Sequence, residues 1–347
     1  MNISKMILTF NINVVKLQAF GGNKTMSKLI LFTKTKVFLL LLLGVLSLLS
    51  IGIGVKDFSI IGLFTGNSDD VTLAMISRIP RLVSIIVTGA SLSIAGLIMQ
   101  TITSNKFVSP STAGTMEWCK FGIMLAIVLA GGQSKIIKIL LAFLVSLAGT
   151  MFFMYILNKI QFKNIVMVPL IGMMLGNVVG SITSFVSYKY DIVQNISSWL
   201  QGNFSLVIKG NYELLYVGIP FLILAYLYAN KFTIAGMGES FATSLGLNHK
   251  LVVGVGMVIV AFITSIVVVT VGSIPFIGLI VPNLVALYKG DNLKNTLLDT
   301  AIFGAIFVLV CDIIGRVIIA PYEVSISVVI SIIGSILFMI LLLRKKG

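Results

Sequence analysis

Residues 231–250 read KFTIAGMGESFATSLGLNHK, and this stretch decides how the rest of the chain is taken. The sequence on both sides is almost unbroken lipid-soluble helix, whereas this segment is too polar to be a membrane span. Gly236 and Gly238 open it, a short amphipathic run from Glu239 to Leu245 fills it, and Gly246 closes it. Glycine at both ends supplies the backbone freedom that starts and stops a short helix. A helix of about two turns between two spans is too small for a domain. It has the size of a docking knob, where another protein can push.

Working outward, the composition is that of a polytopic α-helical membrane protein. Of 347 residues, 58% are hydrophobic and 10% charged, with mean hydropathy +1.10. Soluble domains carry about 25% charged residues. A span takes about 20 apolar residues, and the apolar runs suffice for roughly ten. A β-barrel would show short alternating segments instead. The spans are expected near residues 37–55, 78–103, 111–130, 136–157, 165–187, 213–229, 251–271, 275–288, 297–319 and 324–343. Ten spans put both termini on one side. The inner side then holds roughly twice as many Lys and Arg as the outer, which predicts N-in, C-in. Residues 1–36 form an N-terminal tail and 37–346 one transmembrane domain. Residues 1–25 are expected to be an extension ahead of a natural start at Met26. The segment 188–212 holds a short interfacial helix anchored by Trp199.

Several function classes drop out. The net charge of +14 lies in loops and tails, which fits positive-inside anchoring and not nucleic acid. Cys119 and Cys311 both sit in apolar runs, so no disulfide framework is expected. His249 stands alone beside Lys250, without the converging donors that a metal needs. The 347 residues hold no G-x-x-x-x-G-K-[ST] string, so they carry no P-loop ATPase. No Ser/His/Asp set, HExxH or polar carboxylate pair supports catalysis. No enzyme activity and no cofactor is expected.

The remaining polar residues are informative. Arg78, Arg81 and Arg316 are three of only four arginines and fall at the outer face. They either snorkel to phosphate headgroups or form a docking ring for an acidic partner, since Arg grips carboxylates bidentately. Glu117 and Lys120, at i, i+3, can pair; they are a structural bridge, a polar site on a pathway or part of a proton relay. Gly172, Gly176 and Gly180 flatten one face of the fifth span, for helix packing or for a pore. Gly89, Ser93 and Gly96 do the same in the second. GLIMQ (96–100) and GLIVP (278–282) weakly suggest a duplicated bundle. Pro275 and Pro282 interrupt the short eighth span.

These motifs together resemble the permease subunits of bacterial iron–siderophore and vitamin B12 ABC importers. The likeness is carried by RIPRLVSIIVTGASLSIAGLIMQ (78–100), the N-x-x-x-x-P loop at Asn105–Pro110, GMGESFATSLGLN (236–248), GSIPFIGLIVPN (272–283), DIIGR (312–316) and PYEVSISVVISIIGS (321–335). Residues 104–124 and 190–216 are similar to the subgroup that imports petrobactin-type ferric catecholates in low-GC Gram-positive bacteria. The resemblance implies an all-α, type II ABC importer bundle in the cytoplasmic membrane. It implies an ABC ATPase subunit, a substrate-binding lipoprotein and a second permease, either another copy or a paralogue. It implies that Arg78, Arg81 and Arg316 receive carboxylates of the binding protein. It implies that Asn105 and Phe107 sit at the cytoplasmic gate. It implies that the element from Gly236 and Gly238 through Glu239, Phe241, Ala242, Leu245 and Gly246 couples to the ATPase. Glu117 and Lys120 stand where the wider family has small residues, as further gate or pathway candidates. The expected function is membrane translocation of a ferric siderophore. An ion-coupled secondary transporter, or a permease for haem or cobalamin, are the alternatives.

Overall fold

The structure, a computed structural model, describes residues 24–54, 68–131, 134–160 and 166–344. Expectations for residues 1–23, Asp57, Lys163, the Trp199 side chain and Lys345–Lys346 fall outside what is described. Two compact units divide the chain, Met1–Val45 and Leu46–Gly347. In the first, the described residues belong to the helix α1 (Lys24–Gly52), which runs on into the second. The second contains helices throughout and no named strand among its described residues.

In chain order the second unit holds α2 (Ser68–Leu73), a π-helical turn (Ala74–Arg78) and α3 (Ile79–Ile102). Then come α4 (Thr115–Ala130), α5 (Lys135–Lys159), α6 (Met167–Lys189) and α7 (Val193–Leu200). A 3₁₀ segment (Tyr212–Gly218) leads into α8 (Ile219–Ala235), followed by α9 (Glu239–Ser244) and α10 (His249–Val271). The chain closes with α11 (Ile277–Lys289), α12 (Leu293–Val317) and α13 (Ile326–Arg344). Among the described residues six helical segments are long and apolar enough to cross a membrane, with shorter apolar helices at Lys36–Gly52, Ile277–Lys289 and Ile326–Leu341.

Three boundaries differ from the sequence expectation. The second span does not open at Arg78. Helix runs continuously from Ser68 to Ile102, so the arginines sit inside a helix and not at its mouth. Asp69 and Asp70 in the first turn of α2 favour that earlier start, because carboxylates stabilise helix N-termini. Likewise α8 continues through Lys231 to Ala235, and His249 already opens α10. The non-helical connection is thereby shortened to the residues around α9.

The core is organised on α3, which packs against α8, α10, α11 and α12. Small residues permit this. A Cβ built at Gly89 would lie 2.5 Å from the Gly304 carbonyl oxygen, closer than real contacts allow. Gly96 meets Gly278, and Gln100 Nε2 donates to the carbonyls of Gly278 (3.1 Å) and Leu279 (3.2 Å). The two similar pentapeptides, 96–100 and 278–282, therefore lock against each other. Around this seam Ile98, Met99, Ile259, Val260, Ile263 and Phe232 are fully enclosed. Membrane helices lack a hydrophobic force between them, so close backbone approach and satisfied polar groups hold such a seam. Windows of α3 and α10 are 72% buried, whereas those of α5, α6 and the Tyr212–Ala235 segment are 22–33% buried. The latter carry the outward surface.

Candidate functional site

Polar chemistry concentrates at the two ends of α3 and beside its middle. At the N-terminal end, Arg81 bridges two carboxylates. Its Nη2 lies 2.8 Å from Asp312 Oδ1 and its Nη1 2.9 Å from Glu323 Oε2. Arg316, one turn after Asp312 on α12, lies 2.7 Å from Asp312 Oδ2 without hydrogen-bond alignment. Arg316 Nη1 instead donates to the carbonyls of Ser50 (2.8 Å) and Ile53 (2.7 Å), and Nη2 to Ser50 Oγ (2.5 Å). Arg78 donates to the same Ile53 carbonyl. These guanidiniums thus cap the end of α1, where backbone carbonyls lack intrahelical partners and the helix dipole is negative. Ser205 donates to Glu323. Burial raises the Glu323 carboxyl, but the Ser205 bond and the Arg81 charge outweigh it and hold the group below the usual carboxylate range.

The structure brings the three arginines together around Ile53 and Asp312. They are not free prongs. Arg78 and Arg316 are buried, Arg81 is nearly so, and two carboxylates share their charge. Glu323 was not anticipated; its only sequence signal is an acid in the PYE turn.

At the other end of α3, Ser104 takes a positive φ of 49° and its Oγ donates to the Gly236 carbonyl at 2.6 Å. Asn105 is buried, and its Oδ1 accepts from the Phe107 amide at 2.9 Å, an Asx turn that shapes the loop. The Phe107 ring meets Phe338 edge to face at 5.8 Å between centroids. Asn283 Nδ2 donates to the Lys106 carbonyl at 2.7 Å, and Lys106 pairs with Asp291 at 2.8 Å. A cleft of about 370 Å³ opens between Phe107, Asn283 and Phe338.

The same corner holds α9. Gly238 enters it at φ +109° and Gly246 leaves at φ +75°, both with open space where a Cβ would be, so the glycines serve the backbone and not the packing. The Leu247 amide donates to Ala242 O (3.0 Å) and the Gly246 amide to Thr243 O (2.9 Å). That pairing is a Schellman C-cap. Ala242 faces inward and is fully buried. Phe241 (46% exposed) and Leu245 (59% exposed) point away, as does Met237. Glu239 is exposed in the first turn. Gly236 packs its Cα against Thr101. A short helix that buries one alanine and displays a phenylalanine and a leucine has its apolar face still to be covered.

Beside the middle of the bundle, Lys120 Nζ pairs with Glu117 Oε1 at 2.7 Å. Gly176 and Gly180 lie against Glu117, while Gly172 packs on the backbone of Thr112 and Ala113. The glycine stripe thus serves both packing and an open space. One pair escaped sequence reading: Asp299 is fully buried on α12 and bonded to Lys289 at the end of α11. Among the described residues no group of three or more His, Cys, Asp or Glu could hold a metal.

Comparison with known proteins fits this geometry. Residues 39–344 match the FecCD transport family. The petrobactin import system permease protein YclN of Bacillus subtilis is 54% identical over 310 residues, covering 89% of this chain and 98% of YclN. A ferric-anguibactin transport system permease of Vibrio anguillarum is 40% identical, covering 77% of this chain and 85% of its own length. The petrobactin import permease FatD of Bacillus anthracis is 34% identical over 96% of both chains. A solved metal-chelate type ABC transporter in an inward-facing conformation superposes with TM-score 0.77 at 24% identity, covering 90% of this chain and 99% of that one, which speaks to the fold alone.

Proposed function

This chain belongs to the FecCD transport family, and from that premise we propose that it is the membrane-spanning subunit of an ATP-driven importer of ferric siderophore. The substrate class follows the relatives, of which YclN and the Bacillus anthracis FatD carry petrobactin in their names. The chain itself is a transport subunit and not an enzyme. We read ten spans with both termini inside, a second permease closing the pathway, and a lipid-anchored binding protein delivering substrate to the end of α3 that bears Arg78, Arg81 and Arg316. ATP hydrolysis belongs to a separate subunit that seats on Phe241 and Leu245.

The single observation that carries this reading is the bond from Ser104 to Gly236. It ties the turn between α8 and α9, the exposed element, to the loop of Asn105 and Phe107, the gate candidates, so a push on α9 is passed through that turn to the gate. The opposite arginine cluster lies the length of α3 away, about 36 Å for 24 helical residues. Docking of an acidic partner there proceeds by exchange: the partner's carboxylate displaces Glu323 from Arg81.

A strain lacking this gene and fed ferric petrobactin as its only iron source should fail to grow, and the wild-type gene should restore growth. Glu239→Ala with Leu245→Ala should restore neither growth nor copurification with the ATPase. Full rescue by that double variant would overturn the coupling assignment, and normal growth of the deletion strain would overturn the substrate. The second class of reading, an ion-coupled carrier, finds no support in the embedded acids: Glu117, Asp299 and Asp312 each meet a cation and form no relay.

A further inference from the structure

The buried pair of Lys289 and Asp299 serves neither the arginine cluster nor the contact between Ser104 and Gly236. It spans the turn between α11 and α12. Lys289 is the last residue of α11, and Gly290 follows at φ +80° with open space where a Cβ would be. The Asn292 side chain then caps α12, accepting from the Asn295 amide at 3.3 Å. A lysine at a helix end ordinarily reaches outward, where water hydrates its charge. This one turns back along α12 to Asp299, whose side chain has no exposure, and only 9% of the lysine side chain is exposed. Asp299 Oδ1 accepts no hydrogen bond among the described residues. Burying two charges costs more than their attraction returns unless every remaining polar atom is satisfied, and apolar residues of similar volume often hold a core as well or better. Stability therefore explains this pair poorly. The best-attested use of such a pair is to fix register. What it fixes is shown by the other contacts of the same hairpin. Lys106 Nζ lies 2.8 Å from Asp291 Oδ1 and donates to Oδ2 at 3.0 Å. Asn283, on α11, donates to the Lys106 carbonyl at 2.7 Å and to the Leu279 carbonyl at 2.6 Å. Lys106 is thus held by side chain and main chain at once, from one helical hairpin, and it stands between Asn105 and Phe107.

We propose that Lys289 and Asp299 are positioning residues for the gate loop: their pair sets the α11–α12 turn so that Asp291 and Asn283 hold Lys106, and with it Asn105 and Phe107, against α11. This rests on the importer reading and adds to it the residues that aim the gate loop. The bridge from Lys106 to Asp291 is exposed, at 47% and 68% of the two side chains, so by itself it is weak and breaks readily. The buried pair is shielded from salt and water and keeps the turn in one register while the exposed bridge breaks and re-forms. Without the buried pair the turn keeps its helices and loses its aim. The loop then closes imperfectly while ATP is still hydrolysed.

The test uses the assembled complex of permease, ATPase and binding lipoprotein in sealed proteoliposomes. Lys289→Met with Asp299→Leu removes both charges at similar volume, so neither is left stranded. This neutral pair should assemble with the ATPase at wild-type yield and hydrolyse ATP, yet take up several-fold less ferric petrobactin per ATP hydrolysed. Asp291→Ala, an exposed change that spares the core, should lower the same ratio, and adding it to the neutral pair should lower it no further. A wild-type ratio in either variant, or a further loss in the combination, overturns the proposal. A neutral pair that fails to assemble also overturns it and leaves a structural bridge. The second readout is positional and needs no transport. In the purified full-length permease, Lys106→Cys with Asp291→Cys should be joined by a short bifunctional maleimide, the native Cys119 and Cys311 being buried. Joining should be several-fold slower when the neutral pair is also present, and equal rates overturn the proposal. A wild-type complex without ATP-dependent uptake would remove the importer reading instead; the joining rates then still decide whether the buried pair sets the turn.

Discussion

Arg316 and Asp312 sit one helical turn apart, both almost fully enclosed, and each answers a need that the other creates. Asp312 is held by Arg81 and Arg316; Arg316 in turn closes the carbonyl end of α1. Breaking a buried pair from one side leaves an uncompensated charge, at a cost of about 3–5 kcal/mol. Arg316→Leu should therefore lower the thermal midpoint of the purified permease sharply, whereas Asp312→Asn with Arg316→Gln should cost less than either single change. Equal or greater loss in the double variant would contradict the pairing. Glu323 adds a pH dependence. Its folded-state carboxyl lies below the ordinary range, so its contribution is present in full above the unfolded value, about 4.3, and is lost as pH falls through the lower folded value. Wild type should exceed Glu323→Gln in thermal stability at neutral pH, with the gap closing on acidification. A gap that widens toward acid would reverse the sign. At this scale the sequence was half legible. Three arginines that the expected topology places on the outer side of a positive-inside protein announce a use. The carboxylate partners of Arg81 stand more than two hundred residues away from it, and no local pattern links them to it. Asp299 was missed for the same reason: a charge at a span edge gives no sign of burial until its lysine on the preceding helix is placed.

The elements were legible where glycine fixes the backbone. Gly238 and Gly246 bracket α9 in the sequence, and both take positive φ in the structure. Gly246→Ala should destabilise the corner by about 1 kcal/mol, because αL is unfavourable for a residue with a Cβ, and should weaken coupling with it. Phe241→Ala should leave the permease's own thermal stability unchanged, since the ring is exposed, yet reduce copurification with the ATPase. A variant that loses stability and retains the ATPase would place Phe241 in the core instead. Helix ends without such punctuation were less legible. Pro80 reads as a helix start, and proline is tolerated there. It stands instead just beyond a π-helical turn in a helix already begun at Ser68. Lys231 reads as a loop residue yet lies within the last turns of α8, its ammonium 4.5 Å from the Tyr228 ring centroid. Polar residues can continue a helix past the apolar run, so hydropathy alone cuts such elements short.

Across the whole molecule, α3 is the shaft that runs from the arginine cluster to the loop of Ser104 and Asn105. Gly89 and Gly96 let it lie directly against α12 and α11, so movement of one helix requires movement of its neighbours. Gly96→Leu should abolish assembly, as there is no space for a side chain against Gly278. The orientation of this shaft is open to direct test: a reporter fused after Lys209 should report the outside and one after Met237 the inside. On the proposed function, chemical energy from another subunit, applied at α9, moves an iron chelate through this chain. The most direct measurement is accumulation of radiolabelled ferric petrobactin in sealed vesicles holding the permease, ATPase and binding protein. Uptake should require ATP, persist when ion gradients are collapsed, and vanish in Glu239→Ala/Leu245→Ala. Uptake that continues without ATP and stops when the gradients are collapsed would contradict it.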